Sequence, residues 1–438
     1  MNSVYFITLG CSKNDVDTSQ MKLLLDENKY DVADGLFDAN IIIVNTCGFI
    51  DAAKEESIDT IIEAAQYKTK GNCKKLILAG CLAQRYSNEL LEEIPEIDGI
   101  IGTGNLSNLN EVLDNALKGD KEVRIDNINS NYIEGLYKSE VNITEYVKIS
   151  EGCNNFCSYC IIPRLRGKNR SRKIEDIYKE VSHLVKKGTR EVILIAQNTT
   201  DYGIDIYGKY MLSELIREIS KIEDLHWIRV LYLYPDHFTE DLINEFINND
   251  KLLKYVDIPL QHISDNVLQK MNRKTDKNHI ENLLINLRKR IPEIIIRTTF
   301  IVGFPGETQE DFIELRDFIE RIKFDKLGVF IYSREEGTPA FGLKNQVEED
   351  EKQVRLDEIM SNQENISEGK LTEKIGKIYE VLVEENLGNG TYSGRSYMDA
   401  PEIDGIIYIN SNRDLSIGSF IKVKINDSME YDLIGEEV

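Results

Sequence analysis

Apolar residues in the first quarter of the chain alternate between two rhythms. Short, nearly unbroken runs at Val4 to Leu9, Ala39 to Asn45 and Lys75 to Ala79 read as buried strands, and the stretches Asp15 to Leu25, Ala52 to Tyr67 and Gln84 to Glu93 repeat at helical spacing. This βαβ alternation predicts a doubly wound parallel sheet at the amino terminus. The rhythm resumes with strands at Ile143 to Ile149, Glu191 to Ala196, Trp227 to Leu231, Tyr255 to Ile258, Ile294 to Ile301 and Leu327 to Ile331. Six such repeats predict a partial (β/α)6 barrel with its site at the carboxyl ends of the strands. The highly charged helical stretch Glu348 to Lys370 reads as a linker. Beyond it, short runs at Ile378 to Glu384, Gly405 to Ile409 and Phe420 to Ile425, broken by Gly and Asn turns, predict a small antiparallel β-barrel. The class is α/β, with expected domains at 1–125, 140–368 and 371–438.

Cysteines change this picture from architecture to chemistry. Cys11, Cys47 and Cys81 each fall just after one of the first three strands, beside Gly10, Gly48 and Gly80, so all three point to one edge of the sheet. Ligands of open parallel sheets bind beyond that edge. A buried cysteine is otherwise a small hydrophobe, and Cys73, on the opposite edge, is expected to be only that. A second triad, Cys153, Cys157 and Cys160, stands in the loop Glu151-Gly152-Cys153-Asn154-Asn155-Phe156-Cys157-Ser158-Tyr159-Cys160, directly after the first barrel strand. Soft thiolates select iron-sulfur clusters or zinc. Three of them can hold a cluster and leave one iron open, whereas a zinc site would need a further ligand, and the nearest downstream histidine, His183, lies in a charged helical pattern.

Composition sets bounds on partners and compartment. A chain of 438 residues exceeds one hydrophobic core, and 41% hydrophobic with 29% charged residues is ordinary for a soluble protein. No signal peptide or membrane span is expected, and seven cysteines point to metal or redox use in a reducing cytoplasm rather than to disulfides. The net charge of -23 disfavours a polyanion and favours a basic partner. Residues 371–438 alone carry six Lys and Arg against thirteen Asp and Glu, which argues against phosphate binding there.

The Cys-x3-Cys-x2-Cys loop, with an aromatic before its last cysteine, resembles the signature of the radical SAM superfamily. That resemblance implies a 4Fe-4S cluster on Cys153, Cys157 and Cys160 whose open iron binds S-adenosyl-L-methionine, with Tyr159, Gln197, Gly303 and Tyr332 as cofactor contacts. The segments Leu9-Gly10-Cys11-Ser12-Lys13-Asn14, Asn45-Thr46-Cys47-Gly48-Phe49-Ile50 and Ala79-Gly80-Cys81-Leu82-Ala83-Gln84 resemble the methylthiotransferase family. There the three cysteines hold an auxiliary 4Fe-4S cluster, and the carboxy-terminal module is a TRAM domain. Ala53-Lys54-Glu55-Glu56-Ser57 and Asp399-Ala400-Pro401-Glu402-Ile403-Asp404-Gly405 resemble the branch acting on ribosomal protein S12, free or in the small ribosomal subunit. This implies a cytoplasmic transferase placing a methylthio group on the β-carbon of an aspartate. A flavodoxin or ferredoxin would be the electron donor, with no membrane and no nucleic acid as direct substrate. The alternatives are a tRNA adenosine 2-methylthiotransferase and a non-catalytic iron-sulfur electron carrier. Arg166 and Arg172 offer planar forks for a carboxylate or for acidic helices, and His262 is either a site or a structural residue. Asn198 stands where the nearest branch has an ionisable aspartate.

Overall fold

Strand β1 (Asn2–Thr8) lies between β2 (Tyr30–Val32) and β3 (Ile41–Thr46), and the sheet continues through β4 (Lys75–Ala79), β5 (Ile97–Ile101) and β6 (Glu122–Arg124), every pairing parallel. The order β2-β1-β3-β4-β5-β6 reverses direction at β1, so the switch point falls between β1 and β3. Alternate residues feed two cores. Val4, Phe6, Ile41, Ile43 and Ile77 pack with Met21, Leu109 and Val112 from helices Ser12–Leu24 and Leu109–Lys118. Ile42, Val44, Leu76 and Leu78 pack with Ile61, Leu82 and Leu90 from helices Asp51–Lys70, Gly80–Arg85 and Ser87–Glu93. Cys73 sits in this second core at 5% exposure, as a hydrophobe would.

The computed structural model describes residues 1–438 and divides into two compact units. The first contains residues 1–189, 193–211 and 333–341, and the second 190–192, 212–332 and 342–438. Besides the six-stranded sheet, the first unit holds β7 (Thr144–Lys148), the two-residue strands β8 (Ser150–Glu151) and β9 (Arg170–Ser171), and most of β10 (Glu191–Ile195). In the second, β11 (Trp227–Val230) precedes the parallel trio β12 (Tyr255–Gln261), β13 (Ile295–Val302) and β14 (Lys326–Ile331). Strands β7, β10, β11, β12, β13 and β14, with helices between them, supply the strand and helix order of a partial (β/α)6 barrel.

The charged stretch expected as a linker is a packed helix, Glu349–Thr372. Its buried Lys352, Arg355 and Gln363 find polar partners within the second unit at Tyr332 O, Glu307 and Phe324 O, so a polar sequence covers a buried face. Strands β15 (Ile378–Gly388), β16 (Thr391–Arg395), β17 (Ile407–Asn410), β18 (Phe420–Ser428) and β19 (Leu433–Glu437) close the terminal barrel. Four of its pairings are antiparallel and β17 runs parallel to β19. No helix is long and apolar enough to cross a membrane.

Candidate iron-sulfur and cofactor site

Cys11 caps helix Ser12–Leu24, Cys47 follows β3, and Cys81 is the second residue of helix Gly80–Arg85, so all three lie at the carboxyl ends of β1, β3 and β4. Asn14, 1% exposed, fastens two of these loops: its amide donates to Leu9 O at 2.7 Å and to Thr46 O at 3.2 Å. The Ser57 hydroxyl holds the Cys47 loop a second time, accepting from Cys47 N–H at 3.0 Å and donating to Cys47 O at 2.9 Å. Gly10 has φ +96°, and a Cβ there would stand 2.8 Å from Cys47 Cβ and 3.0 Å from Cys47 Sγ, a space that only glycine leaves open.

The second triad is held by backbone. Strands β8 and β9 pair antiparallel, Cys153 N–H donates to Gly167 O at 3.1 Å, and Cys160 N–H to Cys157 O at 3.0 Å. Ala340 N–H, from the short segment 333–341 of the same unit, donates to Ser158 O at 2.8 Å. Cys81 packs in one buried cluster with Ile161 and Leu165, and Ile161 adjoins Cys160, so the two triads are neighbours inside the first unit.

Electrostatics favour a cationic centre at both. Burial pushes the Cys47 thiol up, with Cys11 adding to the rise, and that of Cys81 to about 11, with Cys11 and Cys47 adding to it, and Arg166 opposes both. Burial and its two companion cysteines raise Cys160 as well. A metal or cluster must hold such groups as thiolates. No three His, Cys, Asp or Glu side chains stand close enough together to hold a single metal ion. Around one tetrahedral zinc, sulfurs stand about 3.8 Å apart, closer than the corners of a cubane. Three thiol donors at each triad, and at the amino-terminal triad the open space at Gly10, fit a cluster.

Polar atoms beside β7 and β10 fit an amino-acid cofactor. Gln197 Oε1, Asn198 Nδ2 and Ser150 Oγ are buried without a hydrogen-bond partner. Gln197 Nε2 donates to Glu151 at 2.6 Å, and Asn198 Oδ1 accepts from Thr200 at 2.7 Å. Asn198 therefore presents a donor, suited to the carboxylate of an amino acid, where an aspartate would attract its ammonium. Tyr159 is half-buried in the cysteine loop.

The structure thus brings the six cysteines, Tyr159 and Gln197 into the first unit, while Gly303 and Tyr332 belong to the second. There Gly303, at φ +71°, is covered by the stem of Lys352, whose Nζ donates to Tyr332 O at 3.2 Å. Arg166 and Arg172 both pair with protein carboxylates: Arg166 with Asp17 and Glu151, Arg172 with Glu134 and Glu180. His183 bonds Lys138 O at 2.8 Å. His262 Nδ1 accepts from Ser264 N–H at 3.0 Å, while its buried Nε2 has no hydrogen-bond partner and stands 3.9 Å from Glu307.

Sequence reading missed a buried clamp. Glu335, 2% exposed, receives Arg85 at 2.7 Å and Lys54 at 3.0 Å, and Arg85 also donates to Gly48 O at 3.0 Å, beside Cys47. Its partners lie 250 and 281 positions away along the chain, beyond any local pattern.

Comparison with known proteins converges on one family. The radical SAM superfamily matches residues 147–319, the uncharacterized protein family UPF0004 residues 3–102, and the TRAM domain residues 375–438. The ribosomal protein uS12 methylthiotransferase RimO of Thermoanaerobacter sp. is 50% identical over 438 residues, the whole of both chains. The protein of the same name from Desulforamulus reducens is 52% identical over 100% of this chain and 99% of its own. That from Clostridioides difficile is 51% identical over 98% and 97%. Among solved structures, the radical S-adenosylmethionine methyltransferase TsrM from Kitasatospora setae shares the fold, with a TM-score of 0.58 at 14% identity over 75% of this chain and 73% of its own. The chain belongs to the radical SAM methylthiotransferase family whose members carry the name ribosomal protein uS12 methylthiotransferase.

Proposed function

We propose that the protein is a cytoplasmic radical SAM enzyme that adds a methylthio group to the β-carbon of an aspartate of ribosomal protein uS12. In this reading the domains are 1–125 for the auxiliary cluster, 140–368 for the radical chemistry and 371–438 for the TRAM module. Cys153, Cys157 and Cys160 would hold the 4Fe-4S cluster that engages S-adenosyl-L-methionine, and Cys11, Cys47 and Cys81 the auxiliary 4Fe-4S cluster. When bound, these groups supply a carbon-centred radical able to abstract hydrogen and a sulfur able to be methylated and transferred.

The chain's own residues bind, orient and exclude water. Asn198 Nδ2 and Ser150 Oγ are free to meet the cofactor's carboxylate and Gln197 Oε1 its ammonium. Tyr159, Gly303 and Tyr332 are assigned to the cofactor by motif. Asn14 and Ser57 hold the Cys11 and Cys47 loops in place before any ligand arrives, so little ordering remains on binding. The anionic surface suits a basic protein substrate, and a flavodoxin or ferredoxin would be the reductant.

The observation that carries this reading is the adjacency of the triads, with Cys81 packed on the residue that follows Cys160. A carrier of electrons alone needs no second open cluster beside the first. The test is mass spectrometry of uS12 and of tRNA hydrolysate from a deletion strain. The modification should vanish from uS12 and persist on tRNA, and loss from tRNA alone would reverse the substrate assignment.

A further inference from the structure

A buried ionic network lies between the two triads, and none of its members is a cysteine. Arg166, 2% exposed, follows the short helix Ile162–Leu165 that leads out of the second cysteine loop. Its Nη1 donates to Asp17 at 2.9 Å and to Glu151 at 3.1 and 3.2 Å. Its Nη2 donates at 2.7 Å to Asn14 Oδ1, the same amide that fastens the Cys11 and Cys47 loops. Leu165, the residue before Arg166, packs against Cys81, so the guanidinium charge sits close enough to oppose the rise of the Cys81 thiol. On the other side Glu151, two residues before Cys153, receives Lys148 at 2.6 Å and Gln197 at 2.6 Å. Lys148 closes the ring on Asp17.

We propose that Arg166 is a positioning residue that sets the reduction potential of the auxiliary cluster through a fixed, buried positive charge at the Cys81 corner. The inference rests on the reading of Cys11, Cys47 and Cys81 as cluster ligands. Three physical features support it. Desolvation strengthens the field of a guanidinium that water cannot screen. Donors to ligand sulfur and nearby net charge are among the main determinants of cluster potential. Outer partners that hold first ligands also fix their geometry. Removing the cation should therefore make the cluster harder to reduce, and removing a counter-charge from Arg166 should do the reverse. A purely structural Arg would instead be replaceable by any side chain that keeps the fold.

The experiment isolates one cluster in the full chain by the triple change Cys153→Ala, Cys157→Ala and Cys160→Ala. Potentiometric titration followed by electron paramagnetic resonance then reads its midpoint. Adding Arg166→Gln should move the midpoint to more negative potential, and Arg166→Lys should restore most of it. Asp17→Asn, which leaves the guanidinium less neutralised, should shift it the opposite way and keeps the test available where Arg166→Gln does not fold. Equal midpoints in Arg166→Gln and Arg166→Lys, or no shift with Asp17→Asn, would overturn the proposal. A triple variant that binds no cluster at all would instead overturn the assignment of Cys11, Cys47 and Cys81.

Discussion

Gly10 and Cys47 show how tightly a single atom is constrained here. A methyl group at Gly10 would meet Cys47 Cβ at 2.8 Å on a backbone of φ +96°. Gly10→Ala should therefore cost about 1 to 3 kcal/mol in stability and lower iron uptake at the amino-terminal triad while leaving the barrel triad loaded. Iron analysis of the anaerobically reconstituted variant checks this, and full loading of both triads would count against it. Cys153→Ala and Cys47→Ala should divide the activities: the first abolishes cleavage of S-adenosyl-L-methionine, and the second spares cleavage and stops sulfur transfer, both read by chromatography of 5'-deoxyadenosine and mass spectrometry of uS12. The cysteines were legible in the sequence because their spacing and their strand-end positions are local. Asp17, Lys148 and Glu335 were not, since their partners are remote: Lys148 and Asp17 are 131 positions apart. Arg166 was legible as a fork, and of its two readings the pairing with protein carboxylates is the one found, with Asp17 of helix Ser12–Leu24 and with Glu151.

Elements carry the stability of the second unit through buried charge. Glu191, at the start of β10 and fully buried, receives Arg229 at 2.9 Å and Arg395 of β16 at 2.7 Å. Those two guanidinium groups outweigh its burial and hold the carboxyl at about 2, against an ordinary 4.5. Its contribution is complete above pH 4.5 and is lost as pH falls toward 2. Glu191→Gln leaves two buried cations short of a partner and should destabilise by about 3 to 5 kcal/mol in denaturant unfolding, with a change under about 1 kcal/mol contradicting the assignment. His262, after β12, behaves differently: burial depresses its imidazole to about 3 from 6.5. The unfolded chain then takes up a proton that the folded one refuses, so stability declines as pH drops from 6.5 toward 3. The unfolding midpoint of the protein should fall more between pH 7 and pH 5 than that of His262→Gln, and equal falls would exclude His262 as the cause. Most strands were readable to within a residue or two because their apolar runs are local, whereas β12, β15 and β18 extend three or four residues beyond the stretch read from the sequence. The helix Glu349–Thr372 was misread as a linker because its buried face is polar, satisfied by backbone carbonyls and Glu307 that only the fold supplies.

Over the whole molecule, the net charge of -23 predicts that association with basic uS12 is steered electrostatically, so its on-rate should fall steeply with added salt while cofactor cleavage changes little. Stopped-flow binding at two ionic strengths tests this, and a salt-independent on-rate would argue against charge steering. The module order was legible because each of the first two modules carries its own cysteine triad and the last changes to short strands broken by Gly and Asn turns. The edge strands β2 and β6 of the first sheet escaped because three-residue strands carry no periodicity. The central claim is that one chain holds two clusters, each left incomplete by three cysteines. Iron and sulfide analysis with Mössbauer spectroscopy of the anaerobically reconstituted protein measures it directly. The account predicts iron for two 4Fe-4S clusters, with one lost when Cys11, Cys47 and Cys81 are changed to Ala and the other when Cys153, Cys157 and Cys160 are. Iron for a single cluster in the unaltered chain, or zinc in its place, would contradict it.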